Sequence, residues 1–374
     1  MSDDRNFKIA SAHANSANQF ALGLSLFPID MEDSYARYLI FDGSLDRPWS
    51  VVEANRNASD ITYANGEYFA LSEEEYVHVL TGQTGTTEEI KGMGVHADRA
   101  KYGSGLEINE IDGELLIAGQ GRQIYRRDGK DNWVKLPVSD IVTGAGQDDV
   151  DFNGLDGNSF KDIICCGTTS PAFQSTPKDL EAQMSAAIEV DDDEELLRLM
   201  ELDEANDPKP EGRAYHWDGE AWTQIDVEDY FPKTVFVDRQ NRTWLGCNQG
   251  TVLQVERDED GEFDVDDIEI IEDSRTDIYS ITEFKGRLIL ASAEGLFAYD
   301  ENFDSLDDEI VRIKPKLNKA LGPRPSPLKV QAVDDVMFYF DYNLGIYIWD
   351  GNKKWTNIPI PPELLERDFK GLKP

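Results

Sequence analysis

The chain has 374 residues, 40% hydrophobic and 29% charged, with 74 Asp and Glu against 36 Lys and Arg, a net charge of −38 and an isoelectric point near 4.3. That apolar share supports a large buried core. The charge argues against nucleic-acid partners and against an anionic membrane surface, because both require a basic face. No run of about 18 apolar residues exists to span a bilayer, and the opening "MSDDRNFKIASAHANS" lacks the basic-then-apolar order of a secretory signal. Cys165, Cys166 and Cys247 are the three cysteines, with no CxxC or Cys/His metal spacing. An odd count without such spacing points to buried thiols in a reducing cytoplasm.

Taken in chain order, one pattern recurs: a tight polar turn, an apolar strand, a glycine or small residue, and a second strand. It starts near Asn18 with "QFALGLSLF". It returns in "ANGEYFALSEEEYVHVLTG" (64–82), "IDGELLIAGQGRQIYRRDG" (111–129) and, degraded, "LDGNSFKDIICCG" (155–167). Three further copies are "VDRQNRTWLGCNQGTVLQVE" (237–256), "FKGRLILASAEGLFAYD" (284–300) and "VDDVMFYFDYNLGIYIWDG" (333–351). The turns fall at Gly66, Gly113, Gly157, Asn241, Gly286 and Asp335, with intervals of 47, 44, 84, 45 and 49 residues. A period in the forties with several short strands per unit is the mark of a propeller blade. The expected fold is all-β: one seven-bladed β-propeller with blades near 7–59, 60–103, 104–147, 148–232, 233–275, 276–324 and 325–364. Several units add an Asp-Gly turn followed by a tryptophan, at Trp49, Trp133, Trp222 and Trp355, which predicts aromatics packed between neighbouring blades. The segment "FKIASAHA" suits either the first inner strand or the outer strand of blade seven. The C-terminal "ELLERDFKGLKP" reads as a short helix docked outside.

The long fourth interval holds an insertion. Residues 173–212 carry 13 acidic and 3 basic residues. Thr176–Pro177 reads as a helix start, and Leu180, Met184, Ala187 and Ile188 follow at helical spacing. A second helix is expected from near Asp193, with Leu196, Leu197, Leu199, Met200 and Leu202, until "DPKP" stops it. The prediction is an acidic helical hairpin leaving blade four between its second and third strands. Its acidic residues Asp191, Asp192, Asp193, Glu194, Glu195, Glu201, Asp203 and Glu204 are the candidate partner-binding set. A long insertion on a rigid scaffold is a common carrier of function, and negative charge steers the approach of a basic protein.

A second candidate is a metal site. Asp149, Asp151 and Asn153, with Gly154, match the opening of an EF-hand loop, but Phe160 stands where its bidentate Glu belongs. Calcium is therefore only an alternative, and no cofactor is expected. The starts of the inner strands carry His13, Asp60, Thr62, Glu107, Asn109, Asp149, Asp151, Asp277 and Gln331, an acidic lining for a central channel. No nucleophile–base motif, phosphate loop or dinucleotide fingerprint occurs.

The stretch "VFVDRQNRTWLGCNQGTVLQVE" (235–256) resembles the repeat of two-component-regulator propellers, and the fit extends partly to blade six. The chain departs from that family in having no transmembrane helix and no kinase or DNA-binding output domain. Its "WDG…W…I" pattern is also similar to stand-alone bacterial propellers, some of them associated with secreted toxins. These resemblances imply a fold and transfer no catalytic residue. Charge, insertion and the missing catalytic motifs lead to a non-enzymatic, cytoplasmic protein-binding platform, most specifically an immunity-type inhibitor that sequesters a basic toxin. The alternatives are a channel-calcium hydrolase or lactonase, and a small-ligand or glycan binder.

Overall fold

Seven consecutive four-stranded antiparallel sheets build the protein in its computed structural model. It describes residues 6–27, 35–54, 56–82, 84–94, 103–139, 141, 147–171, 183–185, 187–188, 195–200, 209–227, 229–258, 260–271, 274–300, 310–313, 326–352 and 355–366. Within each sheet the strands pair in chain order. The seven first strands are Asn6–Ser16, Ala58–Ala64, Gly105–Ile111, Gln147–Ser159, Pro232–Val237, Ile278–Phe284 and Pro327–Val333. They neighbour one another in a ring that the seventh closes against the first. This is an all-β, seven-bladed propeller.

Local chemistry explains the blades. At Asn65–Gly66, Asp112–Gly113 and Lys285–Gly286, φ is positive at both residues: 51° and 88°, 52° and 85°, 54° and 77°. That combination lets a two-residue turn follow the right-handed twist of its strands. Blade five fixes its turn with a carboxylate instead. Buried Asp238 accepts from the Gln240 amide (2.8 Å), the Arg242 Nε (2.8 Å) and the Trp244 Nε1 (3.0 Å). Both faces of each sheet are covered by neighbours, so strands such as Arg287–Ser292 read as apolar runs rather than alternating ones.

Blade four departs from the expectation. Gly157 is not a turn residue: its strand continues to Ser159, and the chain turns at Phe160 and Lys161. Register shifts at Phe152/Gly154 and Gly157/Ser159 lengthen the strand. Bulges bring backbones close. A Cβ on Gly157 would lie 2.2 Å from the Asp162 carbonyl oxygen, and one on Gly167 would lie 1.9 Å from that of Asp151. The glycines of "DFNGLDGNSF" therefore serve a bulged strand.

The core is divided among the seams. Seven apolar clusters each bridge two neighbouring blades, and six contain buried aromatic side chains. The cluster between blades four and five has none among its buried members, which are aliphatic or cysteine. The four tryptophans singled out by the repeat do sit in seams. Trp222 donates to the Pro137 carbonyl of blade three (2.9 Å), and Trp133 to Glu88 of blade two (3.0 Å). Trp49 packs against the cluster between blades seven and one, and Trp355 against that between blades six and seven.

The N-terminal segment takes the first of its two possible roles, the inner strand of blade one, and among the described residues no strand is exchanged at closure. Hydrogen bonds and side-chain packing join the ends instead. Gln331 of blade seven accepts from the Ala14 amide (2.8 Å) and donates to its carbonyl (2.9 Å). The Ile9 amide donates to the Tyr342 carbonyl at 3.1 Å. Phe20 packs against Phe338 and Phe340. After blade seven, Pro362–Leu364 form a 3-10 turn, and the expected C-terminal helix lies from residue 367 onward outside the described residues. Arg37 of blade one donates to the Leu364 and Glu366 carbonyls, and its ion pair with Glu53 (2.8 Å) holds it in place.

Between the second and third strands of blade four, Asp162–Pro171 and Gly212–Trp217, lies the insertion. Residues 183–185, 187–188 and 195–200 are helical. Ala187 and Leu199 are buried together, with Met184 and Leu196 packed against them. The rest of the expected helical hairpin, including both expected helix starts, lies outside the described residues.

Candidate functional site

Around the axis, polar side chains of the first strands staple neighbouring blades at five of the seven seams. Asp60 accepts from the Ile108 amide (3.1 Å), and Asn109 donates to the Leu155 carbonyl (3.0 Å). Asp156 accepts from the Val237 amide (2.8 Å), and Thr282 from the Ala332 amide (3.0 Å). Gln331 completes the series at Ala14. An inner strand is a sheet edge with unpaired backbone groups, and these side chains satisfy some of them. Asp60, Asn109 and Gln331, read from the sequence as channel lining, are thus committed to holding the ring.

Burial disturbs the charges there. It pushes the Glu107 carboxyl well above its ordinary range, with Asp60 and Asp156 adding to the rise. It raises Asp156 to about 6 against its backbone hydrogen bonds, and raises Asp60 against the pull of Lys329, whose Nζ is 3.7 Å away. Burial, then the Lys329 charge, lowers His13 to about 3, so its imidazole is neutral. One Glu107 oxygen and the Thr62 hydroxyl have no hydrogen-bond partner among the described residues.

The calcium candidates lie on the bulged strand of blade four. Asp149 pairs with Arg122 of blade three, and Asp151 accepts from the Gly121 amide at 3.1 Å. Asn153 follows on the same strand, and Asp277 stands 3.8 Å from Lys233. Among the described residues no group of three or more His, Cys, Asp and Glu side chains is arranged to hold a metal ion. All three thiols are buried and free, and burial pushes each upward, away from the thiolate that chemistry requires.

In the insertion, Asp191, Asp192, Asp193, Glu194, Glu201, Asp203 and Glu204 lie outside the described residues. Glu195 pairs with Arg198 at 2.7 Å. The described helical residues expose Ile188 (62%), Leu197 (60%) and Met200 (49%) to solvent.

One feature escaped the sequence. A cavity of about 310 Å³ opens between blades four and five, on the face carrying the first-to-second and third-to-fourth strand turns. Strand direction puts Pro171 and Gly212, the strand ends that flank the insertion, on the opposite face. Ile164, Val237 and Val255 form the apolar wall, with Phe263 beside them, and Lys161 and Arg257 stand at the rim. Buried His216 shares a hydrogen bond with Asp162 (2.8 Å), and Asn158 donates to the other Asp162 oxygen (2.9 Å). The His216 bond holds the Asp162 carboxyl below its usual range. The cavity lies above the seam without buried aromatics. In the next seam Trp244 and Tyr299 fill the corresponding groove, leaving about 60 Å³. Its only sequence signal is an absence of aromatics, visible only once the two sheets are paired.

No family model matches the sequence, and no curated protein matches it. Solved structures match in fold. The chain is similar to the WD40 propeller domain of Doa1 at 11% identity and a TM-score of 0.57, over 94% of this chain and 95% of that one. It is similar to YCF48 from Cyanidioschyzon merolae at 9% identity and a TM-score of 0.54, over 91% and 94%. A structure of YCF48 bound to D1 peptide aligns at 11% identity and a TM-score of 0.51, over 91% of each chain. At these identities the likeness concerns the propeller alone. Nothing in it supports the two-component-regulator or toxin-associated types in particular. Among the described residues no helix is long and apolar enough to cross a membrane.

Proposed function

We propose that this chain is a non-enzymatic protein-binding propeller whose acidic insertion docks a basic protein, most specifically as an immunity-type inhibitor of a basic toxin. One observation carries the reading. Ile188, Leu197 and Met200 are exposed on a stretch with 13 acidic and 3 basic residues. An apolar patch in an acidic surround suits a partner of the reverse charge: desolvation supplies affinity, and the net charge of −38 speeds encounter. The rigid disc presents that segment from blade four. YCF48, a propeller of similar fold, has been seen with a bound peptide, which supports a protein partner as the class. A reducing, cytoplasmic setting fits three free, buried cysteines.

The test is affinity purification with three baits: the intact chain, a chain lacking residues 173–212, and a triple variant Ile188→Ser, Leu197→Ser, Met200→Ser. The expected result is a basic protein retained by the intact chain in a salt-dependent way and lost from the other two baits. Retention of the same protein by the deletion bait would move the interface to the disc and overturn the role of the insertion.

A further inference from the structure

We propose that the cavity between blades four and five is a binding site for a small aromatic monocarboxylate. The argument begins with volume. In the neighbouring seam, indole and phenol rings occupy the groove. Between blades four and five the same position is left to aliphatic side chains, and about 310 Å³ stays open. That is the lower range of small-molecule volumes; seven of the eleven lining residues are polar or charged, grouped around an apolar wall of Ile164, Val237, Val255 and Phe263. A ligand ring on Val255 and Phe263 would fill the space that side chains fill next door.

The charge comes from the rim. Lys161 and Arg257 have no carboxylate within 4.0 Å among the described residues; Arg257 instead lies over the Phe263 ring (5.6 Å) and donates to the Gly261 carbonyl (3.1 Å). Asp162, the acidic group in the wall, accepts one bond on each oxygen, from His216 and Asn158, and also feels the Arg257 charge. In a chain of net charge −38, an opening lined by two cations and one carboxylate keeps an excess of one positive charge, which favours an anion there. With Asp162 counted, Lys161 and Arg257 leave one net positive charge, enough to offset one carboxylate but not a dianion, which selects a monocarboxylate over a phosphate ester.

The experiment is calorimetric titration of the full chain with phenylacetate, phenylacetamide, phenethylamine and phenyl phosphate. Phenylacetate is expected to saturate one site and to bind at least about tenfold more tightly than its neutral amide. The double variant Lys161→Met, Arg257→Met is expected to remove that preference while keeping the same melting temperature, since both side chains are exposed. Val255→Phe is expected to block all binding by filling the cavity. Deleting residues 173–212, whose flanking strand ends lie on the opposite face, should leave phenylacetate binding unchanged, so the outcome is independent of the docking reading. Absence of saturable phenylacetate binding, equal binding of acid and amide, or preference for phenyl phosphate would each overturn the proposal.

Discussion

The seam between blades seven and one sets Phe20 against Phe338 and Phe340, at 5.7 and 6.0 Å. The seam between blades four and five sets Ile164 and Cys166 near Val235 and Leu253 and leaves a cavity of about 310 Å³. Both join sheets of the same size. They differ in what else holds them. Blades four and five are consecutive in the chain, so a short connection keeps them together when packing is incomplete. Blades seven and one are the two ends of the fold, and among the described residues no strand is exchanged between them. Closing them costs the entropy of a loop of nearly the whole chain, offset by side-chain packing and a few hydrogen bonds. A ring can therefore tolerate an open seam where the chain is continuous and needs a filled one where it closes.

Breaking the closure should give the largest effect. Phe20→Ala removes a fully buried ring and is expected to cost about 3–5 kcal/mol in urea unfolding. Val235→Ala, the parallel test in the open seam, should cost about 2 kcal/mol, because less apolar volume is lost and the site is already loose. Equal losses would break the comparison. Arg37→Met frees the Leu364 carbonyl and Glu53 at the closing end. Since Glu53 is partly exposed, the expected cost is about 1–2 kcal/mol, with faster proteolysis of the C-terminal segment. Val255→Phe sharpens the contrast from the other side. Filling the cavity should add up to about 1 kcal/mol and slow the labelling of Cys166 and Cys247, which lie in that seam.

The smallest effect is that of pH. Asp162 beside the open seam is held below its ordinary range, first by the His216 bond. A depressed carboxyl supports the fold above its unfolded pKa, about 3.9, and loses that support as the pH falls through the lower folded value. Below about pH 4, hydrogen exchange should therefore quicken between blades four and five before it does so between seven and one. Asp162→Asn should remove the difference in pH dependence.

Much of the architecture was legible. Asn65–Gly66 and Asp112–Gly113 are turn residues because two consecutive positive φ angles suit few other pairs, and that preference is local. Gly157 misled for a related reason. Its glycine serves a close backbone approach at a bulge, which looks like a turn when only neighbouring residues are considered. Asp60 and Asn109 were legible as polar groups on inner strands, but not as staples, since their partners Ile108 and Leu155 belong to the next blade.

The sequence by itself determined the blade repeat, the number of blades and the place of the insertion. Turn geometry, apolar runs and period are all properties of short stretches or of their spacing. Only the tertiary structure decided that Asn6–Ser16 is an inner strand, that Gln331 grips Ala14 across 317 residues, and that one seam stays open. Each of those depends on which two sheet faces meet and how much volume their side chains jointly supply, a quantity that no single segment carries.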